Sequence, residues 1–300
     1  MTSKASSRVS LRGAMTAIVT PFQDNGEVDL AALGELARWQ VESGIHGLVP
    51  CGTTGEGATL GAEESAQVIE TVVKAVEGRV PVIAGCGSND TRRTVDAAKR
   101  AAQAGSDALL VVTPYYNKPN RSGMLAHYRT ITQATDLPVV VYNVPGRTGQ
   151  NLGAELILGL AEIPGVVAVK EASGDLEQIA SILAGRPAGF SVLSGDDALA
   201  LPTMALGAEG VISVVSNEAP AEMATLAAAA LEGDFKKARE IHFRLLPLMR
   251  VNFVETNPVP VKTAVALLGR CKEGLRAPLG PPDSSTREAL REALREARLL

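Results

Sequence analysis

Cysteine is scarce in this chain, and the three that occur do not form a recognisable set. Cys51, Cys86 and Cys271 are odd in number, far apart and without a CxxC pair. A disulfide framework or a zinc site is therefore not expected. The cysteine content fits a reducing, cytoplasmic environment. Each cysteine is expected to be a small buried apolar residue.

Long apolar runs and basic blocks are missing as well. No run approaches the roughly 18 apolar residues of a membrane span. The formal net charge is −4, so neither nucleic acid nor an anionic membrane is expected as a partner. Residues 1–10 are polar and serine-rich and lack the apolar core of a secretory signal. Residues 1–12 are therefore predicted to form a flexible tail.

The usual signatures of nucleotide and metal binding are also absent. No GxGxxG follows the first apolar run, and GxxxxGK[ST] does not occur. Asp196 and Asp197 have no accompanying cluster of histidine or cysteine, so a turn or hydrogen-bonding role is favoured over a metal site. Neither a cofactor nor a metal ion is expected.

The chain does contain a regular succession of short apolar runs. Most are apolar throughout, which is typical of strands buried on both faces of a parallel sheet. The runs are Ala14–Thr20, Gly47–Cys51, Val80–Gly85, Ala108–Thr113, Pro138–Asn143, Val166–Lys170, Ser191–Gly195 and Gly210–Val215.

The segments between these runs have helical periodicity. Examples are Leu30–Ser43, which follows the candidate N-cap Asp29, Glu63–Gly78 and Thr91–Gly105. The repeat of about 30 residues is that of a βα unit. Eight such units predict an α/β fold, a (β/α)8 TIM barrel over residues 13–233. An open doubly wound sheet is the alternative.

After Gly233 only helical patterns follow, so residues 234–300 are predicted to be a C-terminal helical appendage. Its segments are Phe235–Arg250, Asn257–Leu268 and Ser285–Leu300, the last with a candidate capping box of Ser285 and Glu288.

Unusual polar residues occur where the predicted strands end, which is where a barrel carries its reactive groups. Lys170 closes an apolar run, and a dry environment disfavours its ammonium form, so the amine is expected to be nucleophilic and able to form an imine with a ketone. A lysine paired with Glu171, or one in a solvated loop, is the alternative.

Two further residues follow the neighbouring strand. Tyr142 could transfer protons, although an aromatic that simply packs at the barrel mouth is the alternative. Arg147 lies five residues later and could bind a carboxylate through its planar guanidinium, unless it is an ordinary surface arginine.

Hydroxyl groups accompany these residues. Thr53 and Thr54 lie between glycines and could bind a carboxylate or form a proton relay, or belong to a simple turn. Tyr115 and Tyr116 are adjacent in a chain with only four tyrosines.

Seven motifs in order resemble the dihydrodipicolinate synthase / N-acetylneuraminate lyase family, from about Gly13 to Leu300. They are Gly52-Thr-Thr-Gly-Glu56, Thr113-Pro-Tyr-Tyr-Asn117, Tyr142-Asn-Val-Pro-Gly-Arg-Thr-Gly149, Val169-Lys-Glu-Ala172, Ser194-Gly-Asp-Asp197, Gly210-Val-Ile-Ser213 and Asn257-Pro-Val-Pro-Val-Lys262.

The resemblance implies a lyase that condenses pyruvate with L-aspartate-4-semialdehyde. It implies that Lys170 forms the imine, that Tyr142 transfers protons and that Thr53 and Tyr116 complete a relay. It also implies residues that contact the substrates. These are Thr54 for the pyruvate carboxylate, Arg147 for the semialdehyde carboxylate, and Gly195 and Ile212 as lining of the pocket.

The resemblance implies a homotetramer built as a dimer of dimers, with a simple dimer as the alternative, and it places Tyr116 across the tight dimer interface. Feedback-inhibited members bind lysine at that interface through His and Glu. Ala62, Ser65 and Arg93 occupy the matching positions here, although Asn89 and Tyr115 remain, so weak or absent inhibition is predicted.

Other activities stay open at this point. N-acetylneuraminate lyase, 2-keto-3-deoxygluconate aldolase and 4-hydroxy-2-oxoglutarate aldolase share the lysine and the tyrosine, whereas Arg147 and the threonine pair favour a short acidic aldehyde. A non-catalytic sensor on a barrel scaffold is the alternative from another class.

Overall fold

The computed structural model describes residues 9–300, so most of the predicted tail at 1–12 lies outside the described residues. A single parallel sheet has the strand order β1-β7-β6-β5-β4-β3-β2. Its strands are β1 Gly13–Thr16, β2 Ile83–Gly85, β3 Ala108–Val112, β4 Val139–Asn143, β5 Val166–Glu171, β6 Ser191–Ser194 and β7 Gly210–Ser213.

Twelve α-helices occur within residues 9–300. They are α1 Leu30–Glu42, α2 Ala62–Val76, α3 Thr91–Gln103, α4 Arg121–Gln133, α5 Pro145–Thr148, α6 Gly153–Ala161, α7 Leu176–Gly185, α8 Ala200–Ala205, α9 Pro220–Leu231, α10 Phe235–Val251, α11 Val259–Leu267 and α12 Ser284–Glu296.

The predicted second strand, Gly47–Cys51, is reduced to single bridges at Leu48. Leu48 pairs in parallel with Thr16 of β1 and with Val82 just before β2. These bridges join the two ends of the sheet and close the ring. Pro50 has no N–H to donate, and Cys51 has a φ of +58°, so the extended ladder cannot continue. The (β/α)8 barrel is therefore confirmed, with one strand much shorter than predicted.

Two apolar clusters follow from the alternation of side chains along each strand. In β4, Val139 and Val141 pack outward against the helices, whereas Val140 and Tyr142 belong to the cluster inside the barrel. Ala168 of β5 also lies inside, and Lys170, two residues later, shares its face. The sequence alternation therefore directs Tyr142 and Lys170 into the barrel.

The helix ends lie close to the predictions, but α11 begins at Val259, so Asn257 precedes the helix in which it was predicted, and the start of α12 also differs. Asp29 caps α1, since its carboxylate accepts a hydrogen bond from the backbone N–H of Ala32 at 3.0 Å. The predicted capping box of Ser285 and Glu288 is wrong, because α12 already begins at Ser284 after Asp283, and Ser285 lies within the first turn. Because Ser284 and Ser285 are adjacent, the sequence did not show which of them begins the helix.

The cysteines form no disulfide, and only Cys51 is fully buried, whereas Cys86 and Cys271 are half-buried. No helix within residues 9–300 is long and apolar enough to cross a bilayer.

Candidate active site

The carboxyl ends of β4 and β5 bring the two central candidates together. Tyr142 and Lys170 are direct neighbours in the strand register, and Lys170 Nζ lies 4.3 Å from the centroid of the Tyr142 ring. Both residues are buried, at 7% and 5% exposure. The ring covers an amine that has been removed from water.

Lys170 is not held by a carboxylate. Within residues 9–300, no acidic side chain lies within ion-pair distance of its amine. Glu171 points elsewhere and accepts hydrogen bonds from Asn143 Nδ2, at 2.9 and 3.1 Å, and from the Ser173 N–H at 2.7 Å. The alternative of a Lys170–Glu171 pair is therefore excluded, and the amine is available to a ligand.

Gly195 leaves room beside this amine. A Cβ built on Gly195 would lie 3.1 Å from Lys170 Cε and 2.7 Å from the Cβ of Ala172. Any larger residue would therefore press on the lysine side chain. Ile212 is fully buried in the same interior cluster as Tyr142.

A cavity of about 720 Å³ has Thr53, Tyr142 and Arg147 in its wall. Lys170, Gly195 and Ile212 do not line it, and Tyr142 connects the cavity with the Lys170 amine. Thr54 is buried behind Thr53, and its hydroxyl accepts a hydrogen bond from Asn257 Nδ2 at 3.0 Å. Arg147 donates from Nη2 to the backbone carbonyl of Asn257, also at 3.0 Å. Thr53, Arg147 and Asn257, from two loops and the short helix α5, therefore line one volume.

Tyr116 differs from the other predicted site residues in its high exposure. It is 89% exposed, does not line the cavity and has a φ of +70°, a strained conformation for a non-glycine residue. Its neighbour Tyr115 does line the cavity.

The aspartates after β6 have a structural role, as predicted. Asp197 is buried and its Oδ2 accepts hydrogen bonds from the N–H groups of Val214 and Val215, at 2.9 and 2.8 Å. Within residues 9–300 there is no group of three or more His, Cys, Asp or Glu that could hold a metal ion.

Sequence reasoning missed a second buried carboxyl near Asp197. Glu218 is buried and accepts a hydrogen bond from Asn252 Nδ2 at 3.0 Å. Burial and the Asp197 charge raise its pKa well above the usual range, although the Asn252 hydrogen bond opposes them. Burial likewise raises the pKa of Asp197.

Glu218→Gln is therefore expected to stabilise the protein at alkaline pH. When a carboxyl has a higher pKa in the folded than in the unfolded protein, the protein loses stability as the pH rises from the unfolded pKa to the folded pKa. Glutamine keeps the acceptor for Asn252 without the charge, so a rise of roughly 2–4 °C in Tm at pH 8 is expected, with little change at pH 5. Thermal unfolding at both values checks this. The exposed Glu232→Gln is the control, and an equal shift at both pH values would contradict the explanation.

A parallel barrel with a buried, unpaired lysine at the carboxyl ends of its strands defines a class of lyases that work through a Schiff base. The model of the dihydrodipicolinate synthetase family matches residues 10–297. The chain belongs to this family.

Relatives support this assignment over nearly the whole chain. The 4-hydroxy-tetrahydrodipicolinate synthase of Maridesulfovibrio salexigens is 51% identical over 293 residues, covering 97% of this chain and 100% of the relative. The crystal structure of dihydrodipicolinate synthase from Thermotoga maritima is 44% identical, with a TM-score of 0.94 and coverage of 96% and 99%. The chloride-inhibited enzyme from Acinetobacter baumannii, complexed with pyruvate, is 41% identical, with a TM-score of 0.95 and coverage of 97% and 100%.

Proposed function

We propose that this lyase condenses pyruvate with L-aspartate-4-semialdehyde to give 4-hydroxy-tetrahydrodipicolinate, through an imine at Lys170. The observation that carries the proposal is the buried Lys170 amine, which lies 4.3 Å from the Tyr142 ring centroid and forms no ion pair with a carboxylate of residues 9–300. The names of the relatives and the pyruvate bound in the Acinetobacter baumannii enzyme agree with it.

The first half of the reaction activates pyruvate. The Lys170 amine attacks the keto carbon, and loss of water gives the protonated imine. This imine is an electron sink, so the methyl group can lose a proton and become an enamine. Tyr142, beside the amine, accepts and returns the protons, with Thr53 and Tyr116 as the remainder of the relay. Thr54 binds the pyruvate carboxylate, and Gly195 and Ile212 shape the pocket around the imine.

The second half forms the carbon–carbon bond. The enamine attacks the aldehyde carbon, and the aldehyde oxygen takes up a proton. The amino group of the semialdehyde then attacks the imine carbon, which closes the ring and releases Lys170. Arg147 binds the carboxylate of the semialdehyde, for which its planar guanidinium is suited.

Mass spectrometry of the borohydride-reduced pyruvate adduct tests this proposal. Reduction of the imine should leave an N-carboxyethyl group on the peptide that contains Lys170. Turnover should then be measured with L-aspartate-4-semialdehyde, N-acetylmannosamine, glyceraldehyde and glyoxylate in turn. Preference for any of the last three would overturn the assignment of the second substrate.

The assembly is proposed to be a homotetramer, a dimer of dimers located in the cytoplasm, in which Tyr116 enters the site of the neighbouring subunit. The support is the 89% exposure of Tyr116, which leaves its side chain uncovered in the single chain. Mixing inactive Tyr116→Phe and Lys170→Ala subunits should restore activity, because each mixed dimer contains one complete site. Absence of recovery after demonstrated subunit exchange would contradict the crossing.

Inhibition by lysine is predicted to be weak or absent. Ala62, Ser65 and Arg93 line the outer part of the cavity, together with Arg100 and Asp96. The two guanidiniums outnumber the one carboxylate, so the ammonium of lysine gains little there. Initial rates at increasing lysine concentrations check this, and half-inhibition below millimolar lysine would contradict it.

A further inference from the structure

Asn257 connects two proposed substrate-binding residues that lie far from it in sequence. It lies between α10 and α11, in the segment after the barrel, and is 5% exposed. Its side-chain Nδ2 donates to Thr54 Oγ1, and its backbone carbonyl accepts from Arg147 Nη2, both at 3.0 Å. One residue therefore touches both proposed carboxylate contacts.

The direction of the first hydrogen bond determines whether the Thr54 hydroxyl can donate its proton to a ligand. A threonine hydroxyl has one proton to donate and lone pairs that accept. Because the Asn257 amide donates to the hydroxyl oxygen, the proton of Thr54 remains free for another acceptor. A carboxylate accepts only, so Thr54 is set as a donor to the carboxylate of a keto acid.

The second hydrogen bond involves the backbone, which every amino acid provides. The Arg147 side chain is otherwise exposed at the cavity wall, and the Asn257 carbonyl holds one end of its guanidinium. Exchange of the Asn257 side chain therefore disturbs Thr54 and leaves the Arg147 contact in place. The two functions of this residue can be separated by experiment.

We infer that Asn257 is a positioning residue that orients the Thr54 hydroxyl toward pyruvate through its side chain and orients Arg147 toward the second substrate through its backbone. This inference rests on the proposed function. Asn257 acts on the reaction only through these two neighbours.

Asn257→Asp is the sharpest test because aspartate has the same shape and no donor. Its carboxylate would accept the Thr54 proton and withdraw it from pyruvate, and its charge would repel the substrate carboxylate. The KM for pyruvate should rise about tenfold or more, as expected for loss of a hydrogen bond to a charged group. The KM for the semialdehyde should stay within about twofold, because the backbone carbonyl is unchanged.

Thr54→Val supplies the matched background. Valine has no hydroxyl, so Asn257→Ala, which adds no charge, should add far less to the pyruvate KM of Thr54→Val than it adds to that of the wild type. Equal rises in both KM values, or full additivity with Thr54→Val, would indicate a merely structural role and overturn the inference. If Asn257→Asp does not fold, Asn257→Ala removes the donor without adding charge and should still raise the pyruvate KM alone.

Borohydride trapping separates this inference from the proposed function. The pyruvate concentration for half-maximal trapping at Lys170 needs no second substrate and should rise in Asn257→Asp. Absence of trapping in the wild type would refute the proposed function itself. Normal trapping in the wild type with an unshifted half-saturation in Asn257→Asp would refute the role of Asn257 alone.

Discussion

Replacement of Lys170 by alanine is expected to abolish both turnover and covalent capture of pyruvate. Without the amine no imine forms, and the pyruvate methyl has no electron sink into which its proton can be lost. Loss of an enzyme nucleophile typically lowers kcat by about 10⁴-fold or more. Steady-state rates and mass spectrometry after borohydride reduction with pyruvate check both losses.

The control for this experiment is a lysine of the barrel surface. Lys74 lies on α2, where its 79% exposed side chain is 3.5 Å from Glu70. Lys74→Ala should retain the adduct and the rate, so that loss in Lys170→Ala can be attributed to one amine. An adduct that persists in Lys170→Ala, on whichever peptide, would contradict the assignment and require another nucleophile.

The barrel could be predicted because the pattern that indicates it, a short apolar run followed by a helical segment, is local and repeats along the chain. Runs such as Pro138–Asn143 are apolar up to their polar ends, and in a repeat of βα units this pattern is typical of strands buried on both faces. Boundaries were less predictable. Gly47–Cys51 has the composition of a strand, but the positive φ of Cys51 depends on the turn that follows, which the local pattern does not reveal.

The central part of the site could also be predicted, because two strand ends carry it. Because Tyr142 and Lys170 end adjacent strands, they are expected to lie close together. Their direct pairing depends on a register shift between Val139 and Val140 that the sequence does not reveal. Asn257 and Lys262 could be named as parts of a motif, but their contacts lie 203 and 206 residues away in sequence. The periodicity of the sequence cannot predict such contacts, because they depend on how the C-terminal helices pack on the barrel.

Lys262 and Glu56 form an ion pair in the interior, beside the proposed substrate loop. Their charged atoms are 2.6 Å apart, with side-chain exposures of 0% and 1%. Glu56 also accepts from the Arg276 N–H at 3.0 Å, and Lys262 Nζ lies 3.9 Å from the Phe22 ring centroid. Burial lowers the pKa of Lys262, and the charge and hydrogen bond of Glu56 oppose this shift.

Lys262→Met is therefore expected to destabilise the protein strongly. It leaves Glu56 charged in a dry interior, and removal of one partner from a buried pair costs about 3–5 kcal/mol. For a chain of this size, that corresponds to a fall in Tm of at least about 6 °C. The remaining folded protein should have a raised pyruvate KM, because Glu56 follows Thr53 and Thr54 in the same loop. Thermal unfolding and steady-state kinetics measure the two effects.

Two further variants distinguish an unpaired charge from simple loss of packing. In the double variant Glu56→Gln with Lys262→Met no charge is left buried, so most of the lost stability should return. Lys272→Met breaks the exposed pair with Asp24, which has the similar distance of 2.8 Å but side chains 58% and 86% exposed, and should change the stability little. If the double variant is as unstable as Lys262→Met, the cost lies in the lost lysine packing against Phe22, and the charge of Glu56 is not what Lys262 neutralises.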